Sequence, residues 1–260
     1  MKNLVIGIVG VVALAYGHQA FAQPCSGKSP AHTLALVELY TSEGCDSCPP
    51  ADKWLRTMAS PPLAGSVVPL ALHVDYWDYI GWKDPLARPQ FSARQRELSA
   101  VQGRGFVYTP QIVLAGRDYR QWGKDGAFFD AVKKTNARPA RANIEISVLS
   151  QGKGRIEARA DVQVADAGMR VDAVLHIAVF QNGLATAVAA GENRGKTLQH
   201  DFVARAWSGP VSVGSGGRVQ ASVKAVLPGA TAARAGIAAF VQNRRNGEVL
   251  QAFAMPLCTN

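Results

Sequence analysis

The chain has 260 residues, 48% of them apolar and 18% charged, with a formal net charge of +9. That balance excludes a disordered chain, and the length suffices for one large core or two small ones. The basic excess is scattered, with no Lys/Arg run and no aromatic ladder, which speaks against a nucleic-acid surface and leaves weak attraction to anionic envelope surfaces.

The chain opens with the signature of export. Lys2 precedes an apolar run over residues 4–15, and Ala20-Phe21-Ala22 has the A-x-A form of a cleavage site. Residues 1–22 therefore read as a signal peptide. The run is short for a membrane span of about 20 residues. No second long apolar run follows, so a periplasmic or secreted protein with no stable membrane insertion is expected. Disulfides persist outside the cytosol, and the four cysteines make an even count. Of three connectivities the economical one pairs Cys45 with Cys48 and Cys25 with Cys258. The second bridge is expected to be structural, tying the ends of the mature chain together.

Between residues 34 and 136, strand-like and helix-like segments alternate. Residues 34–40 are an apolar strand. Residues 49–60 carry Ala51, Trp54, Leu55 and Met58 at helical spacing, with Pro49 and Pro50 placed where a first helical turn tolerates them. A strand over 67–75, a helix over 91–102, a strand over 111–115, a short return strand over 118–121 and a helix over 127–135 complete a βαβαββα order. From about residue 143 the pattern changes to short strands. Ile144/Ile146/Val148, Ile156/Ala158/Ala160, 174–180, 219–226 and 237–242 are the strand segments, and Asn246-Gly247 is a hairpin turn. The expected organisation is an α/β domain with a mixed sheet over 23–138, then an all-β sandwich over 139–260.

The stretch "YTSEGCDSCPP" places Cys45 and Cys48 between a strand end and a helix start. Unpaired N–H groups at a helix N-terminus favour a thiolate. In a C-x-x-C pair the first cysteine is the exposed one with the lowered pKa. Cys45 is thus the expected nucleophile, and Cys48 resolves the mixed disulfide. A second stretch, "VYTPQIVLAG", puts Pro110 directly before a strand.

"GCDSCPP" and "YTPQIVLAG" in βαβαββα order resemble the thioredoxin superfamily, and the Thr-Pro form looks most like glutaredoxin-type members. The resemblance implies a cis Thr109–Pro110 bond facing the disulfide, with the Thr109 backbone pairing with an extended substrate. With "VELYTSEGCDSCPPAD", "HVDYWDYIGWKDP" and "GENRGKTLQHDF", nearly the whole mature chain resembles a bacterial family of secreted proteins catalogued as domain of unknown function twelve-twenty-three. That family implies a thioredoxin-like domain but no established reaction.

The reaction must therefore be argued from residues. Glu43 and Asp46 flank Cys45 and disfavour its thiolate, and the motif itself holds no cation or histidine, so a moderate or reducing couple is expected. Glu38, the charge within "LALVELY", is the acid expected to take the proton of Cys48, the alternative being a glutamate bound to arginine or facing solvent. Trp77 and Trp82 are expected to grip an apolar peptide, with Tyr108 as a further substrate contact, although a folded loop over the core is an equal reading. The polar loop from Gly191 to Trp207, with Glu192, Arg194, His200, Asp201 and Arg205, reads as a salt-bridge cluster, as a recognition surface, or as a cover that packs against the redox face.

A four-ligand zinc site finds no second ligand pair beside His73, His176 and His200, so neither metal nor organic cofactor is expected. The expected function is thiol–disulfide exchange with exported protein thiols or a redox partner protein, the activity of an oxidoreductase. The alternatives are a binding module without turnover and a copper-delivery protein using two thiolates and a histidine.

Overall fold

In the computed structural model, which describes residues 25–227 and 234–258, the apolar run after Thr33 becomes strand β2 (Ala35–Thr41). The expected signal peptide lies outside the described residues. β2 and β3 (Val67–His73) are buried along their whole length, as parallel strands covered on both faces must be. Between them runs α1 (Pro49–Arg56), with prolines in its first turn and Cys48 at its N-cap. Its last turn tightens into a 3₁₀ turn, Thr57–Ala59, which accounts for the longer helix expected. α2 (Pro89–Val101), β4 (Gln111–Leu114), β5 (Arg117–Asp118) and α3 (Asp125–Asn136) follow in the expected order.

The rest of the chain supplies β6 (Asn143–Gly152), β7 (Arg155–Gln163), a short α4 (Ala167–Arg170), β8 (Ala173–Gln181), β9 (Leu184–Ala187), β10 (Thr197–His200), β11 (Val203–Ser212), β12 (Arg218–Val226), β13 (Ala235–Asn243) and β14 (Val249–Pro256). With β1 (Ser26–Lys28) these make three sheets. Eight strands stand in the order β14-β13-β8-β11-β3-β2-β4-β5, four in the order β1-β6-β7-β12, and β9 pairs with β10. The protein is mixed α/β, with two large sheets and few helices.

Strand periodicity decides what lies on each face. In β8, Leu175, Ile177 and Val179 join a core with Ile144, Ile146, Ala158 and Ala160 of the four-stranded sheet. Phe180 turns into the other core, with Leu36, Leu39 and Phe91. β13 divides in the same way, Ile237, Ala239 and Val241 to one side, Ala238 and Phe240 to the other. One sheet is thus shared by both regions. It is joined where β11 meets β3 in parallel, Val203 opposite Ala71, with Ala71 N–H donating to Phe202 O at 2.8 Å. β1, from the N-terminal side of Arg138-Pro139, pairs antiparallel with β6. The register slips of β11 between Ala204 and Ala206 and between Ser208 and Val211 explain why it lacked a legible period.

Candidate functional site

The chain leaves β2 at Thr41 and turns back through a short loop before α1 begins. Within that loop Cys45 N–H donates to Ser42 O and Cys48 N–H to Cys45 O, at 3.2 and 3.3 Å. Cys45 and Cys48 form a disulfide with Cα atoms 5.4 Å apart. Cys25 and Cys258 form the other, their Cα atoms 5.7 Å apart. Asp46 and Ser47 are exposed, but Cys45 and Cys48 are both 0% exposed. The expectation that Cys45 stands open to solvent is therefore corrected.

The cover comes from the loop between β9 and β10. Asn193, itself buried, donates through Nδ2 to Glu43 O and Cys45 O, both at 2.9 Å. Asp46 N–H donates to Glu192 Oε2 at 3.1 Å, and Lys196 Nζ to Asn193 Oδ1 at 2.9 Å. Arg56 of α1 anchors the same hairpin through Asp201 and Gln199. The polar loop packs against the cysteines, and its Asp201 and His200 are also paired with charged side chains, so the structure has both the cover and the salt-bridge cluster.

The aromatic segment supplies a second wall. Trp77 Nε1–H donates to Thr109 Oγ1 at 2.7 Å, and its Cβ would stand 3.1 Å from a Cβ added at Gly44. Trp82 Nε1–H donates to Glu43 Oε2 at 2.9 Å and packs on Gly191. Both indoles, expected to hold substrate, have their N–H groups committed within the protein, that of Trp77 to the turn at Thr109 and that of Trp82 to the cysteine loop. The Thr109–Pro110 peptide is cis. Tyr108 donates to Asp118 Oδ1, and with Phe106, Pro110, Arg120 and Trp122 it lines an open concavity beside that turn.

Beneath the loop lies a polar cluster that the sequence did not reveal. Asp52 stands one helical turn after Cys48 and accepts from Thr41 Oγ1 at 3.1 Å. His200 Nδ1 is 3.8 Å from Asp52 Oδ1, and its Nε2 is 3.3 Å from Glu43 Oε1. His73 Nδ1 and Asp84 Oδ2 are 2.7 Å apart. Asp84 also accepts from the N–H groups of Glu43 and Leu86. All five side chains are nearly or wholly buried.

Burial by itself would lower the His200 pKa, but attraction to Asp52 and Glu43 outweighs it and raises the value to about 9. Burial would raise that of Asp84, but the charge and hydrogen bond of His73, with the two backbone N–H groups, bring it down to about 2. A cation thus lies against Glu43, two residues from Cys45. The argument from a motif without histidine missed it because His200 comes from another hairpin.

Glu38 is placed elsewhere. Its side chain, like that of Tyr40, faces the α2 side of the sheet, whereas Thr41 faces α1. Arg94 holds it through Nε to Oε1 at 2.6 Å and Nη2 to Oε2 at 3.0 Å. Arg94 also donates to Gln242 Oε1 and lies over the rings of Trp207 and Phe240. The arginine-bound alternative is the one present, and this commitment corrects the expected proton transfer from Cys48 to Glu38.

Among the described residues no helix is long and apolar enough to cross a membrane. Residues 36–242 match the family model described as "Protein of unknown function (DUF1223)", and the chain belongs to that family. A crystal structure of a protein from Agrobacterium tumefaciens is similar at 26% identity and a TM-score of 0.62, covering 89% of this chain and 98% of that one. HBP35 of Porphyromonas gingivalis, at 14% identity, shares the fold with a TM-score of 0.62, covering 88% of this chain and 76% of its own. Among curated proteins, none matches by sequence.

Proposed function

We propose that this chain is an exported thiol–disulfide exchange protein, periplasmic or secreted, with Cys45 and Cys48 as its redox pair. The observation that carries the reading is the disulfide between two cysteines at the N-terminus of α1, linked through Trp77 to the Thr109–Pro110 turn. The fold reading that goes with it is a thioredoxin-like unit followed by a β-sandwich. It is supported by the strand order β3-β2-β4-β5 and by α1 packing on α3 through Trp54 and Phe128, while α2 covers the opposite face.

In the reducing direction the Cys45 thiolate attacks one sulfur of a substrate disulfide. The substrate S–S bond breaks, one substrate thiolate leaves, and a mixed disulfide forms. Cys48 then attacks Cys45 Sγ, closing the internal disulfide and releasing the second thiolate. The pair loses two electrons and the substrate gains them, and a redox partner protein restores the dithiol. The helix N-terminus favours the attacking thiolate. Glu43 is paired with His200, so Asp46 remains the unpaired acid set against that thiolate. The loop over the cysteines must move before substrate reaches them.

The burial of both sulfurs favours one second reading, a binding module whose disulfide is permanent. Equilibration in defined thiol buffers, with trapping and mass spectrometry of free thiols, separates the two. Exchange expects a Cys45–Cys48 potential above about −300 mV, and Cys48→Ser trapping mixed disulfides through Cys45. A potential below about −300 mV with nothing trapped leaves the binding module in its place.

A further inference from the structure

We propose that Asp52, His73 and His200 form a binding site for a divalent transition cation of the zinc class. The site does not use the cysteines and does not depend on thiol exchange. One ligand atom from each of the three residues lies within 4.8 Å of the others, and all three are buried.

The carboxylates beside the two histidines select the ligand atoms. A metal-bound imidazole typically donates its other N–H to a carboxylate, which fixes the tautomer and raises the basicity of the free nitrogen. His73 offers Nδ1 to Asp84, and His200 directs Nε2 at Glu43. His73 Nε2 and His200 Nδ1 are left for the cation, and His200 Nδ1 is the nitrogen beside Asp52 Oδ1. The two rings stand almost perpendicular, 82° apart, with centroids 4.8 Å from one another. The supporting carboxylates are themselves held: Glu43 by Trp82, and Asp84 by two backbone N–H groups.

Buried polar atoms ordinarily have hydrogen-bond partners. Here His73 Nε2, both ring nitrogens of His200, and Glu43 Oε1 make no hydrogen bond. Glu43 Oε1 and His200 Nε2 face each other at 3.3 Å, and His200 Nδ1 faces Asp52 Oδ1 at 3.8 Å, so His73 Nε2 is the atom of this cluster left with no polar partner. The lone pair of His73, that of His200 once the metal displaces its Nδ1 proton, and the carboxylate suit zinc and its neighbours, which bind imidazole and carboxylate well. Three protein ligands leave a fourth position for water or a substrate group. A surface cavity between α1 and β10, bordered by Pro49, Lys53, Arg56 and Leu198, reaches both Asp52 and His200 and provides an entry path.

The test uses the whole mature chain with its disulfides intact, stripped with chelator and titrated with Zn²⁺ and with Co²⁺. The expected result is one equivalent bound per chain, with a visible Co²⁺ absorption band characteristic of low coordination. His73→Gln and His200→Gln should each weaken binding at least 100-fold. Asp84→Asn, which touches no metal, should weaken it about 10- to 100-fold. The double variant Cys45→Ser/Cys48→Ser should still bind one equivalent, so failure of the thiol reading leaves this site standing. Wild-type protein that takes up no Zn²⁺ or Co²⁺ at micromolar concentration overturns the proposal, whatever the variants do. So does binding that disappears only in the cysteine double variant.

Discussion

Two buried acids illustrate how face decides role. Asp52 lies on the α1 side with Thr41 and His200, within the cluster under the cysteines. Glu38 lies on the α2 side and is wholly engaged by Arg94. His176 borders that ion pair and stacks on Phe240, and burial together with the Arg94 charge pushes its pKa well below the ordinary histidine range. Removing one partner of such a buried pair costs about 3–5 kcal/mol, because the other charge stays buried without compensation. Glu38→Gln should therefore lower the unfolding free energy by about 3 kcal/mol in denaturant titration. It should leave the pH profile of thiol exchange unmoved. A profile shifted toward higher or lower pH in that variant would return Glu38 to the proton path.

At the scale of elements, the β9–β10 hairpin matters most, because it is inserted between β8 and β11 and its loop closes over the disulfide. Its hold on the cysteine loop is concentrated in Asn193, which satisfies two buried carbonyls at once. Leaving a buried carbonyl without a donor costs about 1–3 kcal/mol. Asn193→Ala should raise the open population of the loop at least about tenfold, since each 1.4 kcal/mol is a factor of ten. The reduced protein should then react correspondingly faster with a small thiol reagent at Cys45, with little change in global stability. An unchanged alkylation rate would mean that the loop is not what limits access. The sequence placed this loop against the cysteines only as one of three options. A short, polar hairpin carries no apolar period, so its partner has to come from the fold.

For the whole molecule, what was legible was local. The βαβαββα order followed from apolar runs and helical spacing within single segments, and the Cys45–Cys48 pair from adjacency. The buried cluster was not legible, because Glu43, Asp52, His73, Asp84 and His200 converge from β2's exit loop, α1, β3, the aromatic loop and β10. Asp52 alone was within reach, one helical turn from Cys48. The shared sheet was hidden for the same reason, since β11 joins β3 across about 130 residues of chain. Contacts at this range also fix Gly116, whose positive φ of 84° and approach to Gly247 leave no room for a Cβ between the two turns.

Closure of the molecule is completed by Cys25–Cys258, which joins the chain beside β1 to the chain just beyond β14. The bridge spans 233 residues. The loop-entropy argument gives such a span about 5 kcal/mol, and removal of native disulfides typically costs about 2–5. Val148 N–H donates to Cys25 O and Gln151 to Cys258 O, so the bridge also sets the outer edge of the four-stranded sheet. The double variant Cys25→Ser/Cys258→Ser should lose about 2–5 kcal/mol in denaturant unfolding. Its Cys45–Cys48 potential should match the parent, because Cys25 and Cys258 hydrogen-bond to Val148 and Gln151 of β6, whereas Cys45 and Cys48 hydrogen-bond within their own loop and to α1 and Asn193. A loss under about 1 kcal/mol would mean that β1 is held by its pairing with β6 alone. A changed potential would show that the Cys25–Cys258 bridge and the Cys45–Cys48 loop are coupled through the shared sheet.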